Sequence, residues 1–310
     1  MPEKRAGGRH VGRKQDRQEG VSFDDRTETE KRIQPVCQVH QDGKHPEYLT
    51  FPGFSALEGI SHLCSTRRGG VSEDCYESMN LSFVRGDRPE AVAENFRRIA
   101  ACFGATPQDI ICTDQTHTTN IRITGRADAG KGVTRPCDYT DIDGLLTNEP
   151  GVILSGYYAD CVPLLFADPV KRVIGVAHSG WRGTVGQIGA KMIRLMQETY
   201  GTDPSDLHAV IGPSICKDCY EVSADVIDRI RANFPEAYWP DFFTRKDMPE
   251  EKYQLDLWAV NRRILLDGGI PENQLEITDL CTCCNPDYLF SHRASHGKRG
   301  NIGMFVRLDW

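Results

Sequence analysis

Three short apolar runs and one amphipathic stretch, in direct succession, constrain this chain most. The runs cover residues 152–158, 162–167 and 172–177, and the amphipathic stretch covers about 185–200. Each run has strand length. Asp168-Pro169 marks a turn between the second and third, so those two read as a β-hairpin. In the fourth segment Ile188, Met192, Leu195 and Met196 recur at helical spacing on one face.

The same reading extends in both directions. Asp87-Arg88-Pro89 opens a helix, with Asp87 as the cap and Pro89 in the first turn. Val92, Phe96, Ile99 and Phe103 follow at helical spacing, and Gly104 ends it. Ile110-Ile111-Cys112 and residues 208–211 read as strands. Further helices are expected from Ser223, carrying Val226, Ile227, Ile230 and Phe234, and over 255–266, before Gly268-Gly269. From about Tyr48 onward the pattern is one domain of mixed α and β elements, with no internal repeat. Residues 1–46 are rich in charge and poor in apolar side chains. They cannot offset their ordering entropy by burial and are expected to be a disordered extension; residues 47–310 form the domain.

Composition removes several classes of function. Of 310 residues, 39% are hydrophobic, and no run approaches the roughly 20 apolar residues of a membrane span. The charged first thirty residues lack the apolar core of a secretory signal. A soluble cytoplasmic protein is expected. A net charge of -7 disfavours nucleic acid as a partner, because phosphate backbones demand a basic excess. The chain holds 12 cysteines, and without an export signal these are read as buried thiols with a metal-binding or reactive minority, not as a disulfide scaffold.

Three residues stand out as possible ligands. His178 lies in Ala-His-Ser-Gly-Trp-Arg-Gly, between a strand and a helix. Such junctions expose backbone N–H groups to anions, and Arg182 adds a cation suited to phosphate or carboxylate. Cys161 follows Asp160 at a turn between two apolar runs; it reads equally as a ligand or as a buried thiol. His117 sits in the polar segment Asp114-Gln115-Thr116-His117-Thr118, where an exposed loop histidine is the plain alternative. Their spacing is not a local metal motif.

A resemblance joins them. Ser65-Thr66-Arg67-Arg68-Gly69-Gly70-Val71-Ser72, Asn80-Leu81, Gln115-Thr116-His117 and Asp143-Gly144-Leu145-Leu146-Thr147-Asn148 occur in order. Ala159-Asp160-Cys161-Val162-Pro163 and Ala177-His178-Ser179-Gly180-Trp181-Arg182-Gly183 follow. Ile211-Gly212-Pro213-Ser214-Ile215, Tyr220-Glu221-Val222 and Phe290-Ser291-His292-Arg293 complete the set. Together they resemble the laccase-domain, or multicopper polyphenol oxidase-like, family, which includes purine nucleoside phosphorylases. The resemblance implies an α/β layered sandwich with a central mixed sheet and helices outside. It implies zinc, rather than the copper of the older name, held by His117, Cys161 and His178. It further implies phosphorolysis of adenosine, inosine, guanosine and S-methyl-5'-thioadenosine, and deamination of adenosine. The chain departs from the family pattern at Thr116 and Thr118 around His117, at Tyr158, and at Ala294. These bear on substrate preference more than on the ligands.

Two histidines and one cysteine leave zinc one ligand short of a closed tetrahedron, the pattern of a catalytic site. Around it, Asp160 is the expected proton-transfer acid, Arg67 or Arg182 the phosphate ligand, and Asn80 the group facing the departing purine. Arg293 and Arg299, in a basic C-terminal loop, either reach phosphate or lie in a solvated turn. Purine nucleoside and phosphate are the expected partners. A copper-dependent phenol oxidase is disfavoured by the small number of histidines, 9 in all. A non-catalytic metabolite-binding protein with structural zinc is the third alternative. Cys216-x-x-Cys219 and Cys281-x-Cys283-Cys284 suggest a second zinc site less than they suggest a reversible disulfide or plain packing.

Overall fold

The apolar runs become the middle of two sheets packed back to back. In the computed structural model, which describes residues 37–246 and 251–310, the first sheet has the order β1 (Gln38–His40), β2 (Tyr48–Thr50), β3 (Ile60–Ser65), β15 (Ile302–Leu308), β7 (Ile153–Tyr158) and β4 (Ile110–Cys112). The second has the order β14 (Leu275–Ile277), β10 (His208–Ile211), β8 (Val162–Asp168), β9 (Val173–Ser179), β6 (Gly144–Thr147) and β5 (Ile121–Ile123). Both are mixed: β4 runs parallel to β7, β14 to β10 and β5 to β6, and the other pairs are antiparallel. This is the α/β layered sandwich that the resemblance implied, with mixed sheet at its centre and helices outside, and the centre is a pair of mixed sheets. β7 and β15 lie against β8 and β9, so every residue of β8 and β9 is buried. A strand covered on both faces has no polar side, which is why these segments read as unbroken apolar runs.

Helices close the sandwich on both sides. α1 (Pro52–Ser55) packs beside β3, and α2 (Pro89–Cys102) covers the first sheet, placing Val92, Phe96 and Ile99 against Leu63, Ile153 and Phe305. The cap differs from expectation. Arg88 occupies the cap position, while Asp87 accepts hydrogen bonds from Arg88 N, Ser72 Oγ and Asn80 Nδ2. On the second sheet the expected single helix is broken. α3 (Trp181–Val185) and α4 (Ile188–Tyr200) are separated at Gly186-Gln187, where Gln187 takes a left-handed φ of 57°. α4 covers β9 and β6, and α5 (Ala224–Asn233), α6 (Trp239–Phe242) and α7 (Leu257–Asp267) complete that side. Asp256 caps α7 by accepting from Ala259 N at 2.9 Å. A small antiparallel sheet, ordered β11 (Glu221–Ser223), β13 (Lys252–Leu255), β12 (Phe243–Arg245), lies beyond.

Residues 37–46, which composition assigns to an unstructured extension, contain β1. Gln38 pairs with Thr50 and His40 with Tyr48, and the His40 ring stacks on Tyr48 at 4.7 Å. The signal was too short to read, because three residues on a sheet edge carry no period. The rest of that stretch, residues 1–36, lies outside the described residues. Among the described residues, no helix is long and apolar enough to cross a membrane.

β7 and β8 are consecutive in the chain but belong to different sheets. The crossing from one sheet to the other is made by Ala159-Asp160-Cys161, with Asp160 at a left-handed φ of 88°. That crossing brings the chemistry of the molecule to one place.

Candidate metal centre and its cleft

Cys161 lies at the sheet crossing, His178 near the end of β9, and His117 in the loop after β4. One ligand atom from each lies within 4.8 Å of the others. Cys161 Sγ is 3.9 Å from His117 Nε2, and the two imidazoles meet edge to face at 4.8 Å. Gly180 allows this convergence. A Cβ there would stand 2.9 Å from Cys161 Sγ and 3.1 Å from His117 Cδ2, so a side chain would push into the ligand cluster.

The organiser of the site is Asp143, which sequence reasoning left without a role. It is fully buried. Its Oδ1 accepts from His178 Nδ1 at 2.7 Å and from His117 N at 3.1 Å. Its Oδ2 accepts from Thr118 N and Thr118 Oγ1, both at 2.8 Å, and its carbonyl takes His178 N at 2.7 Å. One carboxylate thus fixes His178 with Nε2 directed to the cluster, and holds His117 in its left-handed conformation at φ 67°. Burial works against its charge, but the His178 and Thr118 bonds prevail and hold its carboxyl below the ordinary range. No spacing rule marks Asp143. Only its position just before β6 hints that it faces β9.

Burial also opposes ionisation of Cys161 and His178, and their mutual attraction overcomes it. The Cys161 thiol is lowered to about 6 by His178 and His117, and His178 is raised to about 9 by Cys161 and Asp143. A thiolate, two imidazoles and a carboxylate behind one of them form a donor set suited to zinc.

The cluster forms the base of a cleft of about 360 Å³, within the range of about 300–1,000 Å³ typical of small-molecule sites. Phe83 and Tyr157 give it apolar wall, Asp114 and Gln115 line its polar side, and Arg85 and Arg299 supply positive charge. Arg299 is buried, and its Nε has no protein partner. Burial first, then repulsion from Arg85, lowers its guanidinium to about 10. Arg85 was not legible beforehand; it lies in a loop with no motif.

The other expected site residues are not among those lining this cleft. Asn80 is fully buried; its amide donates to Ser82 O and Asp87 Oδ2, and its carbonyl accepts from Ser82 N and Asn301 N. Arg67 donates to Glu77 O and Pro286 O and lies 4.8 Å over the Phe290 ring. Asp160 accepts from Thr282 Oγ1 at 2.7 Å and from Arg293 N at 2.6 Å. Arg293 places its guanidinium on Cys219 O and Glu221 O, at 3.1 and 2.9 Å. Arg182 is exposed and stacks on Trp181 at 4.3 Å. Four of the five are therefore engaged in holding loop segments in place, and Arg182 is exposed.

Comparison with known proteins points to one family. The family described as multi-copper polyphenol oxidoreductase laccase matches residues 61–309. The chain is 41% identical over 275 residues to purine nucleoside phosphorylase YlmD of Bacillus subtilis, covering 88% of this chain and 92% of that one. It is 28% identical over 241 residues to adenosine deaminase RL5 from an unknown prokaryotic organism, covering 77% and 90%. The crystal structure of YlmD from Geobacillus stearothermophilus superposes with a TM-score of 0.80 at 32% identity, over 89% of this chain and 100% of that one. By matched length, ordered motifs and shared fold, the chain belongs to the multi-copper polyphenol oxidoreductase laccase family.

Proposed function

We propose that the chain is a zinc-dependent purine nucleoside phosphorylase that also deaminates adenosine, with adenosine, inosine, guanosine and S-methyl-5'-thioadenosine as substrates. The observation that carries this reading is the three-ligand cluster at the base of a cleft that also holds two arginines. The names of the related proteins support it.

His117, Cys161 and His178 would hold the ion, leaving one side for substrate or water. When bound, zinc supplies a Lewis acid that polarises an oxygen or nitrogen of the substrate and makes water more acidic. The protein groups do the rest. Arg299 and Arg85 bind phosphate and neutralise it beside the ribose, so that a phosphate oxygen can attack C1' as the bond to the base breaks. Phe83 and Tyr157 receive the purine against an apolar wall and exclude water. Asp114, a carboxylate of the cleft wall, replaces Asn80 and Asp160 as the group that exchanges a proton with the purine. Asp160, Arg67 and Arg293 act as positioning residues. Phosphate binding passes from Arg67, Arg182 and Arg293 to Arg299 and Arg85.

The ligand chemistry favours zinc over copper. Among the described residues, the groups with metal-ligand spacing are this cluster and one of four cysteines. Neither has the several histidines that a set of copper centres uses.

The test is incubation with adenosine, with and without phosphate, followed by product analysis. Adenine and ribose 1-phosphate should form only with phosphate, and inosine should form in both. Intact adenosine under both conditions, with zinc bound, would sink the proposal.

A further inference from the structure

We propose that Cys216, Cys219, Cys281 and Cys284 form a second metal centre, a closed four-thiolate site for zinc that is structural rather than catalytic. This inference does not rest on the proposed activity.

The sequence shows Cys-x-x-Cys followed by Cys-x-Cys-Cys, which fits no zinc motif. The fold resolves the mismatch. All of these cysteines except the exposed Cys284 belong to or border the core of the second sheet, but only Cys281 and Cys284 converge with Cys216 and Cys219, and Cys283 stands outside that group. The working pattern is therefore Cys-x-x-Cys twice, a tetrahedral zinc arrangement.

The distances fit a metal better than a disulfide. All four Sγ atoms lie within 4.8 Å of one another. Cys219 Sγ is 3.4 Å and Cys216 Sγ 3.9 Å from Cys284 Sγ. Sulfurs at the corners of a zinc tetrahedron, each about 2.3 Å from the ion, stand about 3.8 Å apart. A disulfide draws two sulfurs to about 2.05 Å and gives no reason for two more to converge.

The backbone is also arranged for thiolate. Cys216 N and Cys284 N both donate to Cys281 Sγ at 3.3 Å. Two donors on one sulfur stabilise its anionic form, and N–H bonds to ligand sulfurs support the ligands of a metal centre. Register between the two segments is fixed by the parallel bridge of Ser214 with Cys281, through Ser214 N to Leu280 O and Thr282 N to Ser214 O. Cys281 is buried and Cys284 exposed, so the cluster has a solid floor and an entry side.

Four protein ligands leave no position for substrate, which makes the site a cross-link. It joins the loop before β11 to the loop after β14. Both loops border the first cluster. Arg293 holds Cys219 O, Asp160 holds Thr282 Oγ1, and Ile215 N donates to Asp160 O at 3.0 Å.

Zinc counting on the purified full chain, reduced and without chelator, tests this. Cys219→Ser with Cys284→Ser should lower bound zinc by one equivalent per chain. A His117→Ala, Cys161→Ser variant, lacking the first cluster, should retain one equivalent. Loaded with cobalt instead, that variant should show the intense thiolate-to-cobalt charge transfer and visible bands of a tetrahedral four-sulfur centre. This second readout stands even if the double serine chain does not fold. Zinc content unchanged by the serine pair, iron in place of zinc, a Cys219–Cys284 disulfide in the purified protein, or a cobalt spectrum without thiolate bands would overturn the assignment. Loss of the first site with retention of the second would count against the proposed activity alone.

Discussion

At the scale of single residues, Asp143 decides more than any ligand. It receives His178 Nδ1, the His117 amide and both donors of Thr118 while shielded from water. Asp143→Asn keeps the shape but replaces one acceptor edge with a donor and removes the charge behind His178. Zinc affinity at the first cluster should fall about 10–100-fold, with an unchanged circular dichroism spectrum. Equal zinc affinity in a competition titration would show that the carboxylate has no such role. The sequence made His117, Cys161 and His178 legible only through ordered motifs, since locally each had an ordinary alternative. Asp143 lies within a shared motif but carries no visible role in the sequence, because its partners are 25 to 35 residues away. Asn80 and Arg67 looked functional for the opposite reason. Polar residues in a shared motif can equally be the ones that hold its loops.

At the scale of elements, α2 connects core packing to the cleft. Phe96 is fully buried, stacks on Phe83 at 5.6 Å, and meets Tyr157 edge-on at 6.1 Å. Both partners line the cleft wall. Phe96→Ala should cost about 3–5 kcal/mol in urea unfolding. It should also raise KM for nucleoside, because the cavity lets Phe83 retreat. A stability loss with KM unchanged would separate the helix from the site. The hairpin of β8 and β9 was readable from its apolar runs and its Asp168-Pro169 turn. The passage of the chain from one sheet to the other between β7 and β8 was not. β8 is buried throughout and β7 at every residue but Tyr157, so little in their side chains says which sheet they join. The break at Gln187 was also hidden, because the apolar spacing of α4 extends smoothly to Val185.

At the scale of the whole molecule, acid should loosen the contact between the two sheets' outer regions. Gly53 N and Phe54 N of α1 donate to the Glu276 carboxylate on β14, both at 2.9 Å, so this short helix joins the first sheet to the second. Beneath it His62 Nε2 accepts from Phe51 N at 2.8 Å, with the ring against Phe51 and Phe54. Burial, with His40 nearby, lowers His62 from 6.5 to about 4. Between these values the unfolded chain binds a proton that the folded chain refuses. Stability is therefore fully present above pH 6.5 and declines as pH falls towards 4. The loss by pH 4.5 from this residue is about 2.5 kcal/mol. In His62→Gln, the difference in urea stability between pH 7 and pH 4.5 should narrow by about that amount. An undiminished difference would assign the acid sensitivity elsewhere.

β15 lies between β3 and β7, in the interior of the first sheet, and is assembled from residues 302–308. Ribosomal synthesis delivers those residues after almost everything they hold together. Until they emerge, β3 and β7 each present a bare row of N–H and C=O groups, the kind of edge that recruits foreign strands. Arg299 and Asn301, two walls of the cleft, arrive just before them. A nascent chain can thus make its second sheet and helices first, and it completes both the sandwich and the cleft only once residues 299–308 have been added. A chain cut before Ile302 would lack a central strand of its first sheet and would be open to aggregation.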